Sequence, residues 1–263
     1  MRLLFAYVFA LLPMPCKRIV ARYVYRWDIH RTAYIGPSVL TVRTMSMGPG
    51  ASIGGRNVIT NIDELHLGEG ATIGSGNMIK GWWDHPTQTL PERNPSVYLA
   101  EHAQIASYHY IDCVDSLELG RHAAIAGFRS TVLTHTIDLV RDRYVAGSVV
   151  LGDYAVAMSG CLLSAGSRIP ARSVVGAGSV VSTKLTEELT FYRGNPAEAV
   201  RPLPERLAFF HRGETGQFRE PEGPGARDEV GEAVEQALPV SPTTRFHPRT
   251  ARAGVRPTRG SGA

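Results

Sequence analysis

From Leu151 to Val181 the chain returns to an aliphatic residue or alanine at every sixth position: Leu151, Ala157, Leu163, Ile169, Val175 and Val181. The units between them read LGDYAV, AMSGCL, LSAGSR, IPARSV and VGAGSV. The same step runs through Leu67, Ile73 and Ile79, through Leu99, Ile105, Ile111 and Leu117, and more weakly through Met47, Ile53 and Ile59. A longer unit lies over it, since LHLGEGATIG, LELGRHAAIA and VVLGDYAVAM all open on aliphatic-x-Leu-Gly. Six residues is too short for a helical repeat and too strict for an ordinary alternating strand. It fits a coil of three short parallel strands in which each leading aliphatic points into a narrow triangular core. Small residues beside it let the chain turn sharply and let coils stack closely. The chain is therefore expected to be all-β, a parallel β-helix of hexapeptide repeats over residues 33–204.

The beat fails twice. Between Ile79 and Leu99, GWWDHP and TQTLPERNPS break the beat and are expected to bulge outward. There Trp82 and Trp83 read as a sugar platform, a subunit contact or core filling. The second break follows His135 in STVLTHTIDLVRDRYVAGSVV, and the ladder resumes at Leu151. A β-helix face is rigid and featureless, so chemistry on it needs a projecting base and a loop to shape the acceptor site. A neutral imidazole titrates near neutrality and accepts a proton from an attacking hydroxyl. Asp138, three residues on, is a candidate to orient that imidazole or to cap the loop. Arg141 and Arg143 suit a phosphate or carboxylate on the acceptor, or else pair with Asp142, and Tyr144 offers a stacking face for a sugar.

Outside the repeats, residues 1–32 are expected to form a helical cap or a membrane-surface segment. An apolar run from Leu3 to Leu12 is too short to span a bilayer. Pro13 and Pro15 break it, and CKRIVARYVYRW then places Lys17, Arg18, Arg22 and Arg26 beside apolar residues. Residues 1–27 fit an interfacial anchor, and also a helix closing the open end of a solenoid, since Tyr23, Tyr25 and Trp27 lead straight into the first coils. Residues 205–263 form an extension rich in Gly, Pro, Arg and Glu, expected to be mostly disordered. Its last 23 residues hold five arginines and no acid, which accounts for the formal net charge of +4. The body is near neutral, so nucleic-acid binding is not expected. Cys16, Cys113 and Cys161 are widely spaced and in no CxxC pair, as in a reduced, cytoplasmic protein, placed either free in the cytoplasm or at the inner face of the membrane.

The segment IPARSVVGAGSVVSTKLTEELTFYRGNPAEAVRPLP, with VVLGDYAVAMSGCLLSAG before it, resembles the left-handed β-helix acyltransferases of the hexapeptide-repeat superfamily. The likeness is greatest to sugar O-acetyltransferases of the colanic-acid, maltose and galactoside type. THTID stands where those enzymes carry a catalytic histidine before a loop. The resemblance implies a left-handed coil, a homotrimer with sites between subunits, and acetyl-CoA as co-substrate with no metal. It also implies O-acyl transfer to a sugar or polysaccharide precursor with His135 as general base. By the same likeness Ser159 and Ala177 line the pantetheine arm, Ser182 and Lys184 approach the nucleotide phosphates, and Arg201 meets the nucleotide end. Val156, Ala165 and Glu198 depart from the family pattern near the coenzyme. Two alternatives stay open, an N-acetyltransferase of a nucleotide-linked amino sugar and a non-catalytic structural β-helix. His102, His109 and His122 also sit on coils, but their spacing does not match the zinc-binding histidines of a related β-helix family.

Overall fold

The computed structural model describes residues 2–82 and 93–212. Trp83 and the extension beyond Arg212 lie outside the described residues. Within them the chain winds as a parallel β-helix with three faces. On the first face Ile35, Ile53, Ile73, Ile105, Ile125, Ala157, Val175 and Tyr192 stack in register. The second stacks Leu40, Ile59, Ile79, Ile111, Val132, Leu163 and Val181. The third stacks Ile29, Met47, Leu67, Leu99, Leu119, Leu151 and Ile169. All three ladders meet in one buried core. The hexapeptide positions thus fill it, as their spacing requires.

The ladder slips where the second face turns into the third. Leu119, not Leu117, takes the third-face ladder position after Ile111, because Leu117 pairs with Val97 and Val149, although it is buried in the same core. Two residues are absorbed at that corner, where Cys113 and Val114 are buried.

Coils approach so closely at the corner between the first and second faces that side chains are excluded. A Cβ on Gly74 would lie 2.5 Å from the carbonyl oxygen of Ala106, and one on Gly54 would lie 2.6 Å from that of Gly74. Just beyond this corner runs a buried polar ladder. Ser38 Oγ accepts from Asn57 N, Asn57 Oδ1 from Asn77 N, Asn77 Oδ1 from His109 N, and His109 Nδ1 from Ser130 N. Each side chain accepts from a backbone amide of the next coil, so these groups fix coil spacing, and His109 Nε2 is left buried without a partner among the described residues. Burial pushes the His109 pKa down to about 4, which keeps it the neutral acceptor this ladder needs.

The first coil has an open edge, and the N-terminal segment covers it. Helix α1 (Arg2–Leu11) ends before Pro13, and α2 (Met14–Val20) runs into a π-helical turn at Ala21–Tyr25. Lys17 Nζ donates to the carbonyls of Ile35 and Gly36, and Arg18 donates to that of Ala33. Met14 Sδ accepts from Ile35 N. These contacts pair an edge that would otherwise present unpaired backbone groups. Burial lowers the Lys17 pKa. Phe9, Tyr25 and Trp27 pack edge-on and stacked above the core. At the other end an antiparallel pair, Thr190–Gly194 with Ala197–Pro202, closes the last coil. Phe191, Leu203 and Phe210 form a small separate cluster there.

Candidate active site

His135 opens a two-stranded hairpin, His135–Asp138 against Arg143–Ala146, which leaves the solenoid where the second face turns into the third. Thr134 roots it. The Thr134 hydroxyl accepts from the amides of Val114 and Asp115 at 2.7 and 2.8 Å and donates to the Asp112 carbonyl at 3.1 Å. A hydroxyl has one proton and two lone pairs, so every valence is used. One side chain therefore ties the base of the hairpin to residues 112–115 of the preceding coil.

That tie sets His135 against Asp112. The imidazole Nδ1 lies 3.7 Å from Asp112 Oδ2, and the two side chains are only 17% and 15% exposed. Neither Nδ1 nor Asp112 Oδ1 has a hydrogen-bond partner among the described residues. Desolvation raises the Asp112 pKa, while the charges of His135 and Lys80 pull it back down. Lys80 is its register partner on the adjacent strand. Trp82 and Tyr144 wall the same spot. Their ring centroids lie 5.2 and 6.1 Å from the imidazole, and 6.4 Å from each other. The result is a largely buried imidazole with a carboxylate behind it and two aromatic surfaces beside it.

Asp138 does not belong to this group. Side chains alternate across a strand, so residues three apart point to opposite sides. The Asp138 carboxylate instead caps the hairpin turn, accepting from the amides of Val140 and Arg141 and pairing with Arg141 at 3.0 Å and Arg143 at 3.9 Å. Those contacts, with Arg141 first, lower its pKa. The arginines thus pair with Asp138 rather than Asp142, because Arg143 is its cross-strand partner. Tyr144 pairs with Ile137, two residues from His135, and so shares the histidine's side of the hairpin.

The residues expected to meet a coenzyme divide between two edges. Ser159 and Ala177 lie at the corner between first and second faces, where Gly178 N donates to the Ser159 carbonyl. A Cβ on Gly127 would fall 1.8 Å from Ser159 Oγ, so only glycine fits above that serine. Ser182 and Lys184 are exposed at the other end of the same face, the edge that carries His135. Lys184 bridges to Arg168, bringing two cations together in a shallow pocket that also includes Asp153 and Glu188. Arg201 lies on the closing hairpin with its guanidinium 5.6 Å from the Phe191 ring.

No family model and no curated protein matches the chain. Solved structures are similar to it in part. A hexapeptide-repeat-containing acetyltransferase of Vibrio cholerae O1 biovar eltor, crystallised with acetyl coenzyme A, aligns at 22% identity. The alignment covers 53% of this chain and 71% of that one, with a TM-score of 0.43. An N-acyltransferase of Bacillus cereus, solved with dTDP-4-amino-4,6-dideoxyglucose and coenzyme A, aligns at 15% identity over 75% and 92%, TM-score 0.42. A maltose O-acetyltransferase of Clostridium difficile 630 aligns at 11% over 77% and 89%, TM-score 0.35.

His102, His109 and His122 lie apart from the His135–Asp112 pair. His102 and His122 stack at 4.9 Å, and His122 stacks on Tyr154 at 4.8 Å, forming an aromatic column at a different corner. His109 is consumed by the polar ladder. Sequence reading missed Asp112 and Thr134. The signal was present, since counting coils from the Ile111 and Val132 core positions places Asp112 beside Leu133, two residues before His135.

Proposed function

We propose that the protein is an acyltransferase that moves an acyl group, most simply acetyl, from a coenzyme A thioester to a hydroxyl of a sugar or glycan precursor. The observation that carries this reading is the His135–Asp112 pair at the root of a hairpin walled by Trp82 and Tyr144. With Nδ1 facing a carboxylate 3.7 Å away, Nε2 is the nitrogen left to accept the proton. His135 removes the acceptor's hydroxyl proton as its oxygen attacks the thioester carbonyl. The C–O bond forms, the C–S bond breaks, and the proton passes from His135 to the departing coenzyme thiolate. Asp112 offsets the positive charge on the ring between those steps, an electrostatic contribution strengthened by its burial. Trp82 and Tyr144 offer the apolar faces on which a sugar ring stacks.

The residues present suit a coenzyme. Ser159 and Ala177 sit at an accessible corner where backbone amides can meet the amides of pantetheine, while Lys184 and Arg168 neutralise phosphate. Because these two sets lie at opposite ends of one face, a complete site is built when two subunits meet, and a closed trimer does this by symmetry. The test is a panel of sugar and amino-sugar acceptors incubated with acetyl-CoA, reading release of free thiol. Turnover with hydroxyl acceptors supports the proposal. Turnover confined to an amino sugar would make the enzyme an N-acyltransferase using the same base. No turnover, with coenzyme bound, would overturn the acetyl-transfer reading.

A further inference from the structure

The N-terminal helices bury one face and leave the other bare. Helix α1 packs Ala6, Phe9 and Ala10 inward, whereas Leu4, Val8 and Leu11 are 67%, 53% and 83% exposed. Leu3, Phe5 and Tyr7 continue that surface, and Ile19, Tyr23 and Val24 extend it across α2 and the π-helical turn. Between α1 and the turn lies an apolar groove of about 550 Å³ lined by Phe5, Val8, Leu12, Val20 and Val24, with Leu40 and Val42 at its floor. An exposed apolar surface of this extent is not left to water without a use.

Its charges say what covers it. Residues 1–27 contain no acid. Lys17 and Arg18 are taken up by the strand edge, but Arg22 and Arg26 are exposed beside the apolar surface, and the Arg22 guanidinium lies 5.7 Å above the Tyr23 ring. A second copy docked there would bring arginine against arginine with no acid in the segment to pair them. Anionic headgroups supply that charge. We propose that this end of the solenoid docks on an anionic lipid surface. The outer face of α1 enters the acyl boundary, Tyr7 and Tyr23 sit at the interface, and Arg22 and Arg26 meet phosphate. The helix lies in the surface and does not cross it: ten residues span about 15 Å, half of a hydrocarbon core of about 30 Å.

Docking also sets where the histidine stands. Four ladder steps separate the first-coil strand carrying Leu40 from Thr131–Leu133, which leads into His135. At about 4.8 Å per step this is about 19 Å. On the acyltransferase reading, which this last consequence alone rests on, that height suits a sugar carried on a lipid.

The experiment sediments the full-length protein with phosphatidylcholine vesicles, with and without phosphatidylglycerol. We expect binding to the anionic vesicles at low salt, weakening at least ~10-fold as salt shortens the screening length. Arg22→Ser with Arg26→Ser should remove the preference for anionic lipid. Leu4→Glu with Leu11→Glu should abolish binding, with the unfolding temperature and the particle mass in solution unchanged. Should that pair fail to fold, Tyr23→Glu with Val24→Glu tests the same surface from the adjoining turn. Wild-type protein left in the supernatant with anionic vesicles would overturn the proposal. So would a lipid-free particle mass that falls on substituting Leu4 and Leu11, since a second copy would then be what covers the face. Neither result depends on catalysis.

Discussion

The Nδ1 atom of His135 lies 3.7 Å from Asp112 Oδ2, although the two residues come from successive coils. Their meeting depends on parallel register between Tyr110–Cys113 and Thr131–Leu133, and on the Thr134 clamp. The imidazole and the carboxylate are thus brought together by the solenoid register, and the hairpin adds Tyr144 as a further wall.

Asp112→Asn should lower kcat by about 10–100-fold, the order expected when the charge supporting a general base is lost. It should also stabilise the fold. Burial raises the folded-state pKa of Asp112, so its charged form is disfavoured in the native protein. The stability associated with this group is present below the ordinary carboxylate range and lost as pH rises through the raised value. The asparagine variant should therefore melt higher than wild type near neutrality, by about 2–4 °C per kcal/mol relieved, with the gap closing in acid. Asp138→Asn, by contrast, should change kcat less than about 5-fold, since it loosens only an exposed turn. Equal kinetic losses in the two variants would contradict the assignment.

Thr134→Val keeps the shape and removes the hydroxyl. The amides of Val114 and Asp115 then lose their acceptor, a cost of about 2–4 kcal/mol for two such groups. Chemical denaturation should show that loss, together with a fall in kcat that exceeds any rise in KM, because the imidazole shifts while Ser159, Ala177 and Lys184, which the clamp does not touch, stay in place. Wild-type stability would remove the clamp from the account.

His109 predicts an acid-sensitive fold. Its pKa falls from an ordinary 6.5 to about 4, so the unfolded chain binds a proton that the folded one refuses. Stability from this group is full above 6.5 and drains away as pH drops towards 4. His109→Gln retains an acceptor for the Ser130 amide and should flatten that part of the stability profile. An unchanged slope would assign the acid sensitivity elsewhere.

These residues also show how far the sequence could be read. The core ladder was legible because a period of six follows directly from three strands per coil, and Leu151 to Val181 keep it without interruption. Leu117 is buried in the core as that period implies, but Leu119 takes its place on the ladder, since two extra residues at a corner move the register. His135 stood out as the point where the period stops. Asp112 did not, because its role arises from stacking between coils. Nearness in sequence left Asp138 to orient the imidazole or to cap the loop, and strand alternation turns it to the opposite side of the hairpin, where it caps the turn. The N-terminal segment suited both a cap and a surface anchor, and its two faces allow both. One holds the strand edge through Lys17 and Arg18, and the other remains exposed.

The central claim is that His135 is the general base. Single-turnover thiol release should be followed for wild type and His135→Ala, with coenzyme affinity and unfolding temperature measured on the same samples. The account predicts a loss of at least ~100-fold in the chemical step with both controls unchanged. Wild-type thiol release by a folded, coenzyme-binding His135→Ala protein would contradict it.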